Sequence, residues 1–472
     1  IKIRKNVFPS FIFLSMWIYP GLKALIRFSL KTYFRNIVIS GKENEPRSGP
    51  VIYLANHPGA LMDPLAIASQ VRTKLSFLGK ATLFSGPLGG KILPMLGMIP
   101  VYRAKDNPGD VHKNKETFLR CYEHLEKGKS FLMFPEGISY SERKIQDIKT
   151  GAARIALETE KRNNAKLDSK TQCIGLNYSS AHRFRSDLYL KMGEPIPIAE
   201  FEERYKSDPT KAVRELTQKI KESLEALTIS LDDEETEKIV SGIEVLYKNQ
   251  VMKSLGSSRK EIDKEFLISR QIAEAVRWFR EHAPERVKAV QEDMDEYFSI
   301  TDKLGLRHGV IEKMDGVKYP FWIRLKNFMY FTFGFPFFLL GLLVNYLPYR
   351  IPGLIADRMA TEIEWKGGLQ FAFGILVFLL YYTGLCYAGV KLAGNYWVIL
   401  PVFFGAMLSG LFAYRYADKL GRLRGRWRTL SLFARDASLI SRVIVLRERI
   451  LEEIERGHKE YESRTAGLKT AE

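Results

Sequence analysis

The sequence has few cysteines and lacks the short motifs of several enzyme classes. Its 472 residues include only Cys121, Cys173 and Cys386, an odd and widely spaced set that argues against a disulfide framework and favours a reducing compartment. There is no Gly-x-Ser-x-Gly nucleophile elbow, and none of the cysteines lies in a nucleophile context. Zinc-ligand spacings and RNA-reading aromatic motifs are also absent. The sequence therefore predicts neither a metal site nor a covalent nucleophile.

Acidic residues are in deficit, with 54 Asp and Glu against 72 Lys and Arg, which gives a formal charge of +18. Such a charge requires an anionic environment, and without nucleic-acid motifs we expect a lipid surface or phosphorylated substrates and no nucleic-acid partner. A composition of 46% hydrophobic and 27% charged residues is too mixed for a polytopic transporter. It favours a soluble core with a few membrane segments.

One stretch, NHPGALMDP at residues 56–64, combines a histidine and an aspartate at a break between a strand and a helix. Residues 51–54 are predicted to form a buried strand, Pro58 and Gly59 favour a tight loop, and Asp63 is predicted to be the N-cap of the next helix. If the loop brings the Asp63 carboxylate to the His57 imidazole, the free ring nitrogen can take a proton from a hydroxyl. The alternative is an exposed histidine beside an aspartate that only caps a helix.

Hydrophobic patterning divides the chain into five predicted segments. Residues 1–35 hold an apolar stretch, interrupted by Pro20, that predicts a pair of helices in the membrane interface, with two core helices as the alternative. Residues 36–228 alternate strands and helices, as an α/β domain does. Residues 229–320 predict a helical extension, 321–416 a membrane region, and 417–472 a basic, charged helical tail.

The membrane region contains three apolar stretches, 328–347, 369–390 and 396–414, each long enough to cross a bilayer. The second and third are joined by a few residues and flanked by Lys366 and Arg415, which predicts a tight hairpin with basic cytoplasmic flanks. The first contains Pro336. We expect it to lie in the interface, or to enter and leave the bilayer on one side.

Four motifs follow one another in a fixed order: NHPGALMDP at 56–64, GMIPVYR at 97–103, FPEGIS at 134–139 and IGLNY at 174–178. This order resembles the PlsC-type glycerolipid acyltransferase superfamily over about residues 40–200. The form FPEGIS, together with KTGAARIAL at 149–157 and GEPI at 193–196, is most similar to the yeast-type glycerol-3-phosphate/dihydroxyacetone-phosphate acyltransferase branch and its bacterial relatives.

The resemblance implies a fold class and a set of site residues. The fold is α/β, a PlsC-like acyltransferase domain with a helical extension and C-terminal transmembrane helices. His57 is implied as general base and Asp63 as the residue that orients it. The implied substrate-binding residues are Lys80, Arg103, Pro135, Glu136, Gly137 and Ser139. Arg103 would pair with the acceptor phosphate, because a guanidinium can donate two parallel hydrogen bonds.

The resemblance further implies a membrane enzyme, with its catalytic domain on the cytoplasmic face, that acts in phospholipid synthesis without a metal or cofactor. Its co-substrate would be an acyl-CoA or acyl carrier protein thioester, and its acceptor the hydroxyl of glycerol 3-phosphate or dihydroxyacetone phosphate. Acylation of 1-acylglycerol 3-phosphate or another lysophospholipid is an alternative. A non-catalytic lipid-binding membrane protein is an alternative of another class.

Overall fold

The structure, a computed structural model, describes residues 9–86, 89–95, 97–103, 105–140, 142–231, 233–254, 262–306, 308–311, 321–435 and 437–469. The chain divides into two compact units. The first comprises Ile1–Ser230 and Met359–Phe371, and the second comprises Leu231–Arg358 and Ala372–Glu472. The two units group residues by their contacts in space, whereas the five predicted segments are continuous ranges of sequence. The boundaries of those segments therefore stay predictions.

A mixed seven-stranded sheet forms the centre of the first unit. Its strands are β1 (Asn36–Ser40), β2 (Val51–Ala55), β3 (Leu75–Lys80), β4 (Met98–Val101), β5 (Ser130–Met133), β6 (Lys170–Tyr178) and β7 (Asp187–Pro197). Their order is β1-β7-β6-β2-β5-β3-β4, and only β6 and β7 pair antiparallel. Strands β2 to β6 are thus parallel, and their carboxyl ends share one edge. The predicted α/β fold is confirmed.

Helices cover this sheet and supply its core. They are α1 (Pro9–Tyr33), α2 (Met62–Gln70), α3 (Gly89–Met95), α4 (Asn114–Glu126), α5 (Gly151–Arg162), α6 (Glu202–Ser207) and α7 (Pro209–Leu227). Every residue of β2 is buried, as expected for a parallel strand covered on both faces. Side chains of α4, α5 and α7 pack together with β2, β5 and β6 in one hydrophobic core. This core fixes the strands from whose ends the candidate site is built.

The N-terminal stretch is one helix, so the predicted pair of helices is wrong. Pro20 lies inside α1 without ending it. The helix packs on α2, and two of its side chains bind carbonyl groups near the end of α2: Lys23 Nζ donates to the Val71 carbonyl at 2.5 Å, and Arg27 Nε to the Ser69 carbonyl at 2.9 Å. These tertiary contacts compensate for the backbone hydrogen bond that a proline removes.

The remaining helices are α8 (Glu234–Ser254), α9 (Ile262–His282), α10 (Pro284–Leu304), α11 (His308–Ile311), α12 (Phe321–Met359), α13 (Ile363–Ala393), α14 (Ile399–Arg435) and α15 (Ala437–Lys469). The last of them returns to the helical extension. Arg286 of α10 forms ion pairs with Glu453 and Glu460 of α15, and Arg449 of α15 pairs with Asp293 of α10. Helices α10 and α15 therefore lie side by side.

Within the described part of the chain, three helices are long and apolar enough to cross a membrane by length and composition. They are Phe321–Met359, Ile363–Ala393 and Tyr396–Gly425, with mean hydropathies of 1.7, 1.8 and 1.8. The predicted apolar stretches all fall within them. Pro336 lies inside α12 and does not end it.

Helix α14 runs antiparallel to the first part of α12. Tyr416 donates a hydrogen bond to the Phe331 carbonyl at 2.8 Å, and Asn345 donates one to the Ala406 carbonyl at 3.1 Å. Residue numbers thus rise along α12 while they fall along α14.

Helix α14 also runs antiparallel to α13. The Tyr382 and Phe403 rings lie 5.7 Å apart, and Cys386 Sγ approaches the Ile399 carbonyl at 3.8 Å. Because α12 and α13 both oppose α14, they run in the same direction where they meet, and there the Tyr382 hydroxyl donates to Asn345 Oδ1 at 2.7 Å.

Pro348 and Pro352 lie inside α12, which continues as one helix to Met359. The predicted entry and exit of residues 328–347 on one side of a bilayer stays a prediction.

Candidate active site

The candidate site residues come from the carboxyl ends of the five parallel strands. His57 follows β2, Lys80 ends β3, Arg103 follows β4, Glu136 follows β5 and Tyr178 ends β6. In parallel α/β sheets this edge is where ligands commonly bind. The sheet order thus brings residues from 57 to 178 to one edge of the domain.

His57 and Asp63 form a hydrogen-bonded pair. His57 Nδ1 lies 2.8 Å from Asp63 Oδ2, the Asp63 side chain is fully buried, and the His57 side chain is 18% exposed. Asp63 also accepts hydrogen bonds from the Gly59 amide and from the Tyr178 hydroxyl, each at 2.8 Å. Three donors thus fix the carboxylate, and Nε2 is the imidazole nitrogen left for a substrate hydroxyl.

Asp63 is not the helix N-cap that the sequence predicts. Helix α2 begins one residue earlier, at Met62, and Leu61 occupies the N-cap position without a side-chain capping bond. The carboxylate is instead turned back toward the preceding loop, where it binds His57 and Gly59. This arrangement disfavours the alternative in which Asp63 only caps a helix. The role of His57 as general base stays a prediction.

The histidine loop, residues 56–61 between β2 and α2, has a constrained backbone. A Cβ atom on Gly59 would lie 2.7 Å from Asp63 Oδ1, so only glycine fits there with the carboxylate in place. Ala60 has a φ of 42°, a left-handed conformation that is uncommon for a residue with a side chain. The loop is therefore held by its neighbours and not by its own backbone preference.

The turn after β5 supplies several of those neighbours. The backbone amide of His57 donates to Glu136 Oε1 at 3.1 Å, and the Tyr140 amide donates to the His57 carbonyl at 3.1 Å. The Phe134 ring stacks on the imidazole with the centroids 3.7 Å apart and an interplanar angle of 7°. Both backbone polar groups of His57 and one face of its ring are thus fixed by the FPEGIS motif and the tyrosine that follows it.

Glu136 is buried, with 4% of its surface exposed. Its second carboxylate oxygen accepts a hydrogen bond from the Gln146 amide at 2.9 Å, and burial raises the pKa of this carboxyl above its usual value. Both oxygens are thus engaged with the backbone. The predicted contact of Glu136 with the acceptor stays a prediction, which these bonds do not favour.

Arg103 is tied to two neighbours. Its Nε and Nη2 atoms donate to the two carboxylate oxygens of Asp106 at 2.8 and 2.7 Å, and its Nη1 donates to the Gly137 carbonyl at 3.0 Å. These bonds hold the pKa of Asp106 below its usual value, with a smaller contribution from the charge of Lys80. Since a guanidinium has five N–H donors, two remain for an anion.

The other predicted site residues take different positions. Lys80 Nζ lies 5.0 Å above the ring of Trp365, a cation–π contact. Pro135 is buried and its carbonyl accepts from the Lys149 amide at 2.9 Å, Gly137 is exposed with a φ of 77°, and Ser139 is partly buried. This turn is what aims the Gly137 carbonyl at Arg103.

A metal site and a reactive thiol would each place requirements on the described residues. The described residues include no group of three or more His, Cys, Asp or Glu side chains placed to hold a metal ion. Cys121 and Cys173 are buried in the core, and burial raises the pKa of each thiol to about 12. At neutral pH these thiols are therefore protonated and unreactive.

Sequence reasoning missed three side chains near the site. Tyr178 is part of the fourth motif, and its position as the last residue of a parallel strand was the available signal. Phe134 opens the third motif, yet nothing in the sequence predicts that its ring stacks on His57. Trp365 is distant in sequence and carries no local signal.

Comparisons with known proteins find similarities over part of the chain. Residues 36–172 match the family described as Acyltransferase. The chain is 32% identical over 136 residues to glycerol-3-phosphate O-acyltransferase 2 of Saccharomyces cerevisiae, covering 29% of this chain and 18% of that protein. It is also 32% identical over 127 residues to the chloroplastic 1-acyl-sn-glycerol-3-phosphate acyltransferase LPAT1 of Arabidopsis thaliana, covering 27% and 34%.

Among solved structures, the 1-acyl-sn-glycerophosphate acyltransferase PlsC of Thermotoga maritima is similar with 21% identity and a TM-score of 0.31, over 43% of this chain and 78% of that one. The matched region spans about a fifth to a third of the two relatives named above.

Proposed function

We propose, from the premise that residues 36–172 form an acyltransferase domain of the PlsC type, that this chain is a membrane enzyme that acylates glycerol 3-phosphate or dihydroxyacetone phosphate in phospholipid synthesis. The donor is an acyl thioester, from acyl-CoA or acyl carrier protein, and no metal or other cofactor takes part. The observation that carries the proposal is the His57–Asp63 pair at 2.8 Å, with Nε2 left for a hydroxyl.

The geometry supports direct acyl transfer without a covalent enzyme intermediate. Nε2 of His57 removes the proton of the acceptor hydroxyl, and the oxygen attacks the thioester carbonyl to form a tetrahedral intermediate. The carbon–sulfur bond then breaks, and the imidazolium returns the proton to the departing thiolate. Asp63 keeps the Nδ1–H tautomer and stabilises the imidazolium with its buried negative charge.

Arg103 and Lys80 supply the positive charge for a phosphate-bearing acceptor. The two unused N–H donors of Arg103 suit a phosphate dianion, and the charge of Lys80 reaches the same Asp106 carboxylate. Asp106 opposes an anion here, so a bound phosphate would have to compete with it for the guanidinium. Pro135, Gly137 and Ser139 would line this side of the acceptor pocket, and Glu136 would brace the histidine loop.

A lysophospholipid is the second candidate acceptor. This candidate is supported by the similarity to a protein named 1-acyl-sn-glycerol-3-phosphate acyltransferase, which has the same 32% identity as the yeast relative. Both acceptors carry a phosphate and a free hydroxyl, so the same charged residues would serve. They differ in the acyl chain that the lysophospholipid already bears.

The three apolar helices support membrane association. We place the catalytic domain on the cytoplasmic face, where the basic flanks at Lys366 and Arg415 would also lie.

The decisive experiment assays the purified protein with a labelled acyl thioester against glycerol 3-phosphate, dihydroxyacetone phosphate, lysophosphatidate and a neutral lipid alcohol. We expect a small phosphate-bearing acceptor to give the highest kcat/KM. His57→Ala should abolish transfer in a folded, membrane-bound protein, and Asp63→Asn should reduce kcat strongly. If the wild-type protein transfers the acyl group to none of these acceptors while it still binds lipid, the hypothesis of a non-catalytic lipid-binding protein replaces this proposal.

A further inference from the structure

The segment Met359–Phe371, here called the return segment, comprises the end of α12, the short connection and the first turns of α13, and it belongs to the first compact unit. Two adjacent glycines, Gly367 and Gly368, are buried in it. A Cβ atom on Gly367 would lie 2.4 Å from the Ala181 carbonyl oxygen, and one on Gly368 would lie 2.8 Å from Leu61 Cβ and 3.0 Å from the Met62 amide nitrogen. Close contact with the domain therefore requires glycine at both positions.

The two glycines touch the two pieces of chain that hold the Asp63 carboxylate. Leu61 ends the histidine loop and Met62 immediately precedes Asp63. Ala181 follows β6, whose last residue, Tyr178, donates to Asp63. The Cβ atom of Ala181 also lies 3.6 Å from the position that a Cβ on Gly59 would take. The glycine pair thus packs against the residues around the Asp63 carboxylate, although it lies far from the four motifs in sequence.

Two aromatic contacts fix the return segment on either side of the glycines. Trp365 packs under Lys80 Nζ at 5.0 Å, and Phe371 packs edge-on against Tyr33 of α1 with the ring centroids 5.6 Å apart. Phe371 is 3% exposed. The return segment is therefore held by Trp365, by the glycine pair and by Phe371, and these contacts fix its position against the histidine loop.

We propose that the return segment is a positioning element for the reaction, in which Gly367 and Gly368 hold the start of α2 and the loop after β6 so that Asp63 keeps His57 aligned. This inference rests on the proposed function of His57. The segment itself need not touch substrate, since its effect passes through Leu61, Met62 and Ala181. We expect the two glycines to affect kcat and not acceptor affinity, because they contact Leu61, Met62 and Ala181 and not Lys80.

A methyl group at either glycine tests this proposal. Gly368→Ala needs a shift of several tenths of an ångström or more in Leu61 or in the Met62 backbone, beside Asp63. Misplacement of a catalytic group on this scale lowers rates by about 10- to 100-fold. We expect that fall in kcat, with KM for the acceptor within about twofold of wild type, and the same for Gly367→Ala.

Gly374→Ala is the matched control. It lies on the same helix, and a Cβ there would meet no atom within 4 Å in the described part of the chain. Its kcat and KM should equal those of wild type. Thermal unfolding followed by circular dichroism checks that each variant is folded.

The outcomes separate this inference from the proposed function. If the wild-type protein shows no acyl transfer, the proposed function fails first. If the wild-type is active and both glycine variants retain its kcat, or lose only acceptor affinity, the positioning role is wrong. If both variants fail to fold while Gly374→Ala folds, the pair is core packing and the positioning role is equally wrong.

Discussion

The Tyr178 hydroxyl donates a hydrogen bond to Asp63 Oδ1 at 2.8 Å, on the oxygen opposite to the one that binds His57. Burial and the negative charge of Asp63 hold the pKa of Tyr178 well above its usual value, so the phenol stays a donor throughout the working pH range. The tyrosine at the end of β6 and the aspartate at the start of α2 are thus locked together.

Tyr178→Phe should lower kcat by about 10-fold with little change in KM, because a hydrogen bond to a charged group contributes about 1.5–3 kcal/mol. Steady-state kinetics at saturating donor measures both constants. Tyr189→Phe is the control, since the Tyr189 hydroxyl lies 2.7 Å from Ser40 Oγ on another pair of strands. A Tyr178→Phe enzyme with wild-type kcat would show that the other bonds suffice to orient Asp63.

Glu136→Gln should lower kcat and the free energy of unfolding and leave KM for the acceptor nearly unchanged. The carboxylate accepts one backbone amide on each oxygen, whereas a glutamine has a single acceptor oxygen and must present its NH₂ group to the other amide. A rise in KM alone would instead support the acceptor contact implied by the family resemblance.

The wild-type protein and Glu136→Gln should also differ in how their stability depends on pH. Because burial raises the pKa of Glu136 in the folded state, the proton binds more tightly to folded than to unfolded protein, and stability is lost as pH rises through the folded pKa. The wild-type protein should therefore lose stability relative to Glu136→Gln as pH rises just above 4.5. Denaturant titrations at several pH values measure this difference, and an unchanged difference would contradict it.

Arg103→Ala should raise KM for a phosphate-bearing acceptor by about 10-fold or more, because charge-assisted contacts to the phosphate are lost. Asp106→Asn keeps the size of the Arg103 partner and removes its charge, so KM should stay at or below the wild-type value. Kinetics with glycerol 3-phosphate at fixed ionic strength tests both changes. A silent Arg103→Ala would remove Arg103 from the acceptor pocket.

Asn345→Leu should destabilise the apolar helices by about 1–2 kcal/mol. The amide donates to the Gly341 and Ala406 carbonyls and accepts from the Tyr382 hydroxyl, so it links three helices through buried polar bonds. Thermal unfolding in detergent measures the effect. Leu343→Ala, at a position 71% exposed on the same helix, is the control and should change the midpoint little.

The course of the chain predicts two membrane crossings. Helices α10 and α15 are paired side by side, so an even number of crossings must separate them, and we expect the antiparallel helices α13 and α14 to be the crossing pair. Single cysteines at positions 288 and 459, in a Cys386→Ser background, should be labelled from one face and a cysteine at 394 from the other. Labelling of 288 and 459 from opposite faces would require three crossings.

Local patterns predicted the fold class, because a buried parallel strand is a short apolar run with turn residues on either side. The same patterns placed His57 and Asp63 at the break after β2. They did not predict the start of α2 correctly, since a carboxylate near a helix start is the usual signal of a cap. Here the hydrogen bonds from His57, Gly59 and Tyr178 orient that carboxylate.

Contacts between distant residues had no sequence signal. The contact of Gly367 and Gly368 with Leu61 and Ala181 depends on how the chain returns after α12, and two glycines beside an apolar stretch are typical of any closely packed helix. The continuity of α1 through Pro20 was missed for a related reason. Packing on α2 outweighs the local cost of the proline, and packing is not visible in the order of residues.

The return segment means that the boundary of the domain in sequence is not its boundary in space. Residues 36–172 contain the first three motifs, yet Tyr178 lies beyond them and Gly367 and Gly368 come from nearly 200 residues further on. A protein truncated before Met359 would expose the surfaces of Leu61 and Ala181 that the two glycines cover. Such a fragment would keep all four motifs and lack the segment that packs on the loops around Asp63.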